Sequence, residues 1–201
     1  SKVMLRVDTT RCERVPSPDG MKYCFETSTG FFVARHNGCV FVTGNSGKSS
    51  GSVIELLRRS ISRKADSDGI KRSKWVVVRN TVPMLRDTTI PTFLRWFPHG
   101  SLGQWHMTDK YYHFRFGDVD SQVLFRALDD KDDIGKLLSS EYTGCYFNEF
   151  REINYEIYEA MTKRVGRWVT DPHWTQVEID QTWSGIWADT NPPQVGSWLY
   201  Q

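Results

Sequence analysis

The sequence predicts an α/β fold with a mainly parallel β-sheet and crossover helices over residues 46–201, preceded by a small all-β segment over residues 1–45. Two observations support this division. Short apolar runs alternate with helical segments in the longer part, which is the pattern of parallel strands joined by crossover helices. The first 45 residues contain strand-forming runs separated by turn residues and show no helical period.

The first segment has the turn residues of β-hairpins. Residues 16–20 (PSPDG) and 37–38 (NG) favour tight reversals of the chain. Strand-forming runs lie between and beside them, at residues 3–7, 23–27, 30–34 and 39–43. We therefore expect small hairpins in this part of the chain.

The longer part begins with an amphipathic helix at residues 49–64, in which apolar residues recur at helical spacing. Short apolar runs, typical of strands covered on both faces, follow at residues 75–78, 122–125, 143–147 and 184–188. Helices are predicted between them at residues 91–97, 131–139 and 153–165. This alternation predicts the α/β sheet.

The composition does not indicate which class of molecule the protein binds. The net charge of +2 and the pI near 8.3 do not indicate a nucleic-acid binder, although local basic clusters remain candidates. No run of about 18 apolar residues is present, so we expect no membrane function. Four cysteines without a C-x-x-C pair, and no secretory signal pattern, predict reduced thiols in a cytoplasm. Because the chain starts without methionine, we expect a fragment.

An incomplete phosphate-binding loop precedes the first predicted helix. A complete loop has the pattern G-x-x-x-x-G-K-[ST], whereas the only glycine just upstream of Gly47 and Lys48 is Gly44, two residues too close. Backbone N–H groups of such a loop cradle phosphate, its lysine reaches the outer phosphates and its hydroxyl binds Mg²⁺. Gly47, Lys48, Ser49 and Ser50 are the candidates. A polar turn of common composition is the competing interpretation.

Two later strands end in polar residues at the predicted carboxyl edge of the sheet, where α/β proteins bind ligands. The third strand is followed by Asn148 and Glu149. In ATPases such an acid orients and activates the attacking water, and we predict this role for Glu149. Asn148 occupies the place where an aspartate usually holds magnesium, so we expect a weaker role, through water. Asp189, Thr190 and Asn191 follow the last strand.

These motifs carry a resemblance to a known family. The ordered segments SGKSSGSVIELLRRS, WVVVRNTVPMLRDTT, FRALDDKDDIGKLLSSEYTG, CYFNEFREI, MTKRVGR and WADTNPP resemble the ATPase half of the large terminase subunit of tailed bacteriophages. The resemblance implies a P-loop NTPase-type fold and a motor driven by ATP and Mg²⁺. It also implies a host-cytoplasmic protein that threads double-stranded viral DNA into a capsid, with a portal and a small terminase subunit as partners.

The resemblance implies roles for individual residues. Lys48 and Ser49 match the phosphate and magnesium positions, and Glu149 matches the catalytic acid. Residues 189–191 match the motif that couples hydrolysis to movement. An N-E pair in place of D-E is a variant found in this terminase branch, so Asn148 does not weaken the match.

Three arginines match positions in the family's motifs, namely Arg79, Arg86 and Arg126. An arginine that stabilises the transferring phosphoryl group must be positioned against it, in cis or from a neighbouring subunit. Which of the three acts on nucleotide stays open. The competing interpretation is that they pair with Asp87, Asp129 or Asp130.

Residues 23–46 (YCFETSTGFFVARHNGCVFVTGNS) resemble the C-terminal end of an intein, which finishes in asparagine followed by Ser, Thr or Cys. The amide of Asn45 can attack its own carbonyl group, forming a succinimide and breaking the peptide bond, while Ser46 accepts the acyl group. Gly44 stands where inteins often carry histidine, so the proton donor stays open, with His36 as a candidate. The resemblance implies a Hint-type fold and an upstream intein and terminase fragment as partner.

We therefore predict an intein C-terminal segment at residues 1–45 and an incomplete terminase ATPase domain at residues 46–201, without its nuclease domain. The intein is either split or contiguous. One alternative is a DNA-binding or repair P-loop ATPase with a native shortened loop and no intein. A non-catalytic packaging scaffold is the other, and the joint presence of Lys48, Ser49 and Glu149 argues against it.

Overall fold

The computed structural model describes residues 32–36, 39–43, 47–191 and 197–200. The chain divides into two compact units, Ser1–Asn45 and Ser46–Gln201. The predicted splice residues Asn45 and Ser46 lie outside the described residues. No helix in the described part has the length and apolar character needed to cross a membrane.

In the first unit, β1 (Phe32–His36) and β2 (Cys39–Thr43) form an antiparallel pair. His36 pairs with Cys39, so two residues of the sequence, Asn37 and Gly38, connect the paired ends, which is the length of a tight hairpin loop. Strand β2 confirms the prediction at residues 39–43, and β1 lies two residues beyond the predicted 30–34. The strands predicted at residues 3–7 and 23–27 lie outside the described residues.

Helix α1 (Gly47–Ile61) opens the second unit. Its buried residues, Ser50, Val53, Leu56 and Ser60, lie on one face. The helix starts two residues before the predicted 49–64 and ends three residues earlier. It ends there because the N–H of Arg63 bonds the carbonyl of Ser60, a tighter turn than an α-helix makes. Gly47, Lys48 and Ser49 therefore form the first turn of α1.

A six-stranded mixed sheet lies at the centre of the second unit, with the order β4-β5-β6-β3-β7-β8. The strands are β3 (Lys71–Arg79), β4 (Gly103–His106), β5 (Tyr111–Phe116), β6 (Val119–Ala127), β7 (Gly144–Asn148) and β8 (Gly185–Asp189). The parallel strands β3 and β6 contain the predicted runs 75–78 and 122–125, and β7 and β8 are displaced by one residue from the predicted 143–147 and 184–188. A mostly parallel sheet is therefore confirmed.

The antiparallel strands β4 and β5 are not among the predicted elements. In β5 only Tyr112 and Phe114 are buried, and less buried residues alternate with them. Such a strand is covered on one face, so it lacks the unbroken apolar run that marks β3 or β7.

The helices flank the sheet. Residues 82–96 contain α2 (Val82–Met84), a π-helical turn (Leu85–Thr89) and α3 (Ile90–Trp96) in succession. Helix α4 (Lys131–Ser139) matches its prediction, whereas α5 (Tyr155–Thr162) is shorter than the predicted 153–165 because a 3₁₀ turn (Phe150–Glu152) and an extended Ile153 precede it. Two further elements, α6 (Gln176–Gln181) and a 3₁₀ turn (Trp198–Tyr200), are unpredicted.

Alternate residues of the central strands pack on opposite faces of the sheet. Val77 of β3 and Tyr146 of β7 belong to the core cluster that includes residues of α1 and α3. Val78 and Phe147 belong to the cluster that includes residues of α4 and α5. This three-layer arrangement fixes the carboxyl ends of β7 and β8 relative to the start of α1.

Candidate functional site

A cleft of about 170 Å³ lies where α1 begins and β7 ends. Its lining residues come from α1, β3, β7 and the 82–96 helical segment, and they are Ser49, Val53, Arg79, Thr88, Thr89, Thr92, Tyr146, Asn148 and Glu149. The cleft is therefore at the carboxyl edge of the parallel strands, the edge at which α/β proteins bind ligands.

Asp189 is the hydrogen-bond centre of this region. The hydroxyl of Ser49 donates to its Oδ2 at 2.5 Å. Its Oδ1 accepts from the side-chain amide of Asn148 and from the backbone N–H of Glu149, both at 2.9 Å. Only 5% of Asp189 is exposed. One buried carboxylate thus connects the first turn of α1, the end of β7 and the end of β8.

The side chain of Asn148 has a defined orientation. Its Oδ1 accepts from the hydroxyl of Thr89 at 2.6 Å, while its Nδ2 donates to Asp189 and to the hydroxyl of Tyr146, the latter at 3.2 Å. The reversed amide would place its oxygen against the carboxylate of Asp189, so the network selects one orientation. Thr89, Asn148, Asp189, Ser49 and the adjoining Glu149 form what we term the cleft cluster.

Glu149 combines backbone strain with an unsatisfied carboxylate. Its φ of 57° and ψ of 61° lie in the left-handed region, where a residue other than glycine is held at a cost of about 1–3 kcal/mol. Its Oε2 is buried and has no hydrogen-bond partner in the described part of the chain, although Nε of Arg151 lies 3.6 Å away. Both features concentrate at functional sites.

The predicted phosphate-binding residues Gly47, Lys48, Ser49 and Ser50 lie at the start of α1. The first N–H groups of a helix have no partner within it, and its positive end favours anions. No acidic residue lies in the first turn, and the side chain of Lys48 is exposed beside Gly47. Ser50 is buried, so its side chain faces the core.

Arg79 is the one of the three candidate arginines that lines the cleft. Its Nη1 donates to the backbone carbonyl of Asn148 at 3.2 Å, and Nη2 lies 3.6 Å from Glu152. Its Nε is buried without a hydrogen-bond partner among the described residues. The guanidinium group thus has an unused donor next to the cleft.

The other two arginines lie outside the lining of the cleft. Arg86 is exposed and pairs with Asp87 at 2.7 Å, which is the alternative that the sequence left open. Arg126 is buried, donates to the carbonyls of Asp109 and Phe125, and lies 3.9 Å from Asp133. The contacts of these two side chains are those of structural ion pairs and hydrogen bonds.

The residues that follow Asp189 link the ends of two strands. The hydroxyl of Thr190 accepts from the backbone N–H of Arg151 at 3.2 Å and donates to the carbonyl of Asn191 at 2.9 Å. The hydrogen bond between Thr190 and Arg151 therefore couples the segment after β8 to the segment after β7, which contains Glu149.

Thr89 and Tyr146 are site residues that the sequence did not indicate. Tyr146 lies two residues before Asn148, on the same face of β7, so strand periodicity could have found it. Burial, reinforced by the nearby Asp189, raises the pKa of Tyr146, so its hydroxyl stays protonated. Thr89 comes from a π-helical turn distant in sequence, and no local pattern indicates its contact with Asn148.

The donor atoms fit a magnesium ion held mainly by phosphate. Magnesium prefers oxygen ligands and usually combines one or two protein groups with water and substrate phosphates. Ser49 and Glu149 line the cleft, with the carboxylate of Asp189 behind the hydroxyl of Ser49. The described residues contain no group of three or more His, Cys, Asp or Glu side chains suited to hold a metal without such phosphates.

No protein-family model and no curated protein matches the chain. Among solved structures, a large terminase from a thermophilic bacteriophage is similar, with a TM-score of 0.54 and 13% identity over 74% of this chain and 32% of that chain. Another crystal form of that terminase, in complex with ATP-gamma-S, has a TM-score of 0.48 and 12% identity. That match covers 74% of this chain and 30% of that chain. The chain spans about a third of the length of that terminase and shares its fold over that part.

Proposed function

We propose that residues 46–201 are the ATP-hydrolysing part of a large terminase subunit that drives viral DNA into a capsid. The observation that supports this most is the cleft cluster, which joins the first turn of α1 to the acidic end of β7 through Asp189. The thermophilic phage terminase, whose fold is similar, has also been solved with ADP and with ATP-gamma-S.

Each residue of the cleft has a role in this proposal. The free N–H groups at the start of α1 and the side chain of Lys48 bind the phosphates, and the hydroxyl of Ser49 holds Mg²⁺. When bound, Mg²⁺ neutralises charge on the phosphates. The carboxylate of Glu149 orients the attacking water and accepts its proton. Its Oε2 makes no hydrogen bond among the described residues, and its ion pair with Nε of Arg151 is long, at 3.6 Å. Arg79 stabilises the negative charge that develops on the transferred phosphoryl group.

Residues 189–191 couple hydrolysis to movement of DNA in this proposal. The contact between Thr190 and Arg151 supports it, because it connects this segment to the segment that carries Glu149. Double-stranded viral DNA, the portal and a small terminase subunit are the proposed partners, in the cytoplasm of the infected host.

We also propose that residues 1–45 are the C-terminal segment of an intein that interrupts the phosphate loop. Two observations support it: the loop is two residues short, and the chain divides into compact units between Asn45 and Ser46. Cyclisation of Asn45 breaks its peptide bond to Ser46, and the acyl group held by the Ser46 hydroxyl then passes to the freed amine. Ligation restores the loop before Gly47.

Two experiments test the two parts of the proposal. Supplying the upstream intein and terminase fragment should give a ligated product that lacks residues 1–45, detected by mass spectrometry, and Asn45→Ala should stop its release. Only intact chain under those conditions would contradict the intein. In the ligated product, Lys48→Ala should abolish ATP hydrolysis, and unchanged hydrolysis would contradict the ATPase assignment.

A further inference from the structure

We infer that Asp189, and not Asn148, is the residue that supports the magnesium site, because Asp189 holds the hydroxyl group of Ser49. This inference rests on the proposed function and sharpens it. Asn148 stands at the sequence position where an aspartate usually serves the metal, whereas residues 189–191 correspond to a motif for coupling. The hydrogen bonds assign the supporting role to the end of β8 instead of the end of β7.

The hydroxyl group of Ser49 has one hydrogen to donate and two lone pairs. A serine that binds a cation through its oxygen lone pairs must direct its hydrogen to another acceptor. That acceptor is Oδ2 of Asp189 at 2.5 Å. Of the two lone pairs of the hydroxyl, one faces Nδ2 of Asn148 at 3.5 Å, and the other is available to the cleft, which Ser49 lines and which Asp189 does not reach directly. Asp189 is thus a positioning residue that acts on the metal through Ser49.

Asn148 is unsuited to the same task. The group that it directs towards Ser49 is its amide nitrogen, at 3.5 Å from Oγ, and a donor cannot accept the serine hydrogen. Its oxygen accepts the hydrogen of Thr89 at 2.6 Å. Asn148 therefore acts as a donor that holds Asp189 in place.

The two residue types form a matched pair. With Nδ2 of Asn148 at 2.9 Å from Oδ1 of Asp189, a carboxylate at both positions would bring two negative charges into contact in a buried region. Adjacent carboxylates of this kind resist joint ionisation. One amide and one carboxylate avoid this repulsion, which gives a physical reason for asparagine at position 148 when aspartate is at position 189.

The test measures Mn²⁺ binding in the ligated product, in which the phosphate loop is complete, because Mn²⁺ replaces Mg²⁺ and the free ion is counted by electron paramagnetic resonance. Titrations are made with millimolar ADP, and ADP binding without metal is measured separately in EDTA. The variants are Asp189→Asn and the exchanged pair, Asn148→Asp with Asp189→Asn. Asp171→Asn is the matched control, since Asp171 is equally buried and accepts backbone N–H groups away from the cleft.

We expect Asp189→Asn to weaken Mn²⁺ binding in the presence of ADP by about 10-fold or more, the usual effect of losing a partner that orients a metal ligand. ADP binding in EDTA should stay near that of the wild type, and Asp171→Asn should bind Mn²⁺ normally. The exchanged pair should recover most of the loss, because a carboxylate and an amide again face each other. If Asp189 had only a structural role, Asp189→Asn would weaken ADP binding in EDTA as well as Mn²⁺ binding in the presence of ADP.

Mn²⁺ binding by Asp189→Asn equal to that of the wild type would overturn the inference and leave the proposed function standing. If this variant fails to fold, Asn148→Ala decides: Mn²⁺ binding within about threefold of the wild type supports the inference, because Asn148 then does not serve the metal, and a loss of about 10-fold or more overturns it. A wild-type ligated product that binds neither ADP nor Mn²⁺·ADP would overturn the proposed function, and the inference with it.

Discussion

The second unit contains two buried polar clusters, towards opposite ends of the parallel strands. One is the cleft cluster at the carboxyl ends of β7 and β8. The other, the serine cluster, consists of Ser60, Ser73, Trp75 and Ser121. In the serine cluster, the indole N–H of Trp75 lies 2.8–3.1 Å from the three hydroxyl oxygens, and Ser60 also donates to the carbonyl of Leu56.

The clusters differ in whether their polar atoms have partners. None of the side-chain polar atoms of the serine cluster lacks one, and its residues are 0–1% exposed. Beside the cleft, Oε2 of Glu149 and Nε of Arg79 are buried without hydrogen-bond partners among the described residues. A satisfied buried network stabilises a fold, whereas buried atoms without partners beside a cleft can be satisfied by water, an ion or a ligand.

The largest expected effect is on catalysis in the cleft cluster. Glu149→Gln in the ligated product should lower ATP hydrolysis about 100-fold or more, because the variant cannot accept the proton of the attacking water. The free energy of unfolding should fall by no more than about 1 kcal/mol, since Oε2 makes no hydrogen bond among the described residues and the ion pair with Arg151 that the variant loses is long and partly exposed. Glu159→Gln, an exposed change on α5, is the control. Hydrolysis that survives Glu149→Gln would remove the catalytic assignment.

A change in the serine cluster should have the opposite effect: the free energy of unfolding falls while ATP hydrolysis is unchanged. Ser121→Ala removes a hydroxyl that bonds Ser73 at 2.7 Å and Ser60 at 2.9 Å, so we expect the free energy of unfolding in urea to fall by about 1–3 kcal/mol. ATP hydrolysis by the folded ligated protein should remain normal. Ser139→Ala, exposed at the end of α4, serves as control. Equal stability of Ser121→Ala and Ser139→Ala would contradict a structural role for the serine cluster.

Thr89→Val tests whether the cleft cluster is also held together by internal hydrogen bonds. The variant keeps the shape of the side chain but loses the donor to Asn148, so the amide is less firmly oriented. We expect the free energy of unfolding to fall by about 1 kcal/mol. The Mg²⁺ concentration required for ATP hydrolysis should rise. Thr162→Val, near the end of α5, is the control. An unchanged Mg²⁺ requirement would show that Thr89 contributes only through packing and that its hydrogen bond to Asn148 does not affect the metal site.

The smallest effect is expected from an exposed ion pair outside both clusters. Hydrogen bonds from Lys64 and from Thr175, the N-cap residue of α6, lower the pKa of Glu178 from 4.5 to about 2. The stabilising contribution of Glu178 is therefore complete above pH 4.5 and is lost as the pH falls towards 2. Glu178→Gln should therefore reduce the loss of stability between about pH 5 and pH 2, measured by urea unfolding. An identical acid dependence in the variant would show that the pair contributes nothing.

The predictable parts of the molecule were those with local patterns. Unbroken apolar runs identified β3 and β7, and polar residues at the strand ends identified Glu149 and Asp189. The orientation of Asn148 was not predictable, because it depends on Thr89, 59 positions away. Nor did the sequence indicate which role Asp189 has, since motif order cannot report which side chain accepts the hydrogen of Ser49.

The most direct test of the account is ATP turnover by the chain before and after ligation at Ser46. We predict slow turnover before ligation and an increase of about 100-fold or more afterwards, the scale of regaining a positioned phosphate donor, with the increase lost in Lys48→Ala. Rapid turnover by the unligated chain that Lys48→Ala abolishes would contradict the interrupted loop and favour an ATPase with a native short loop.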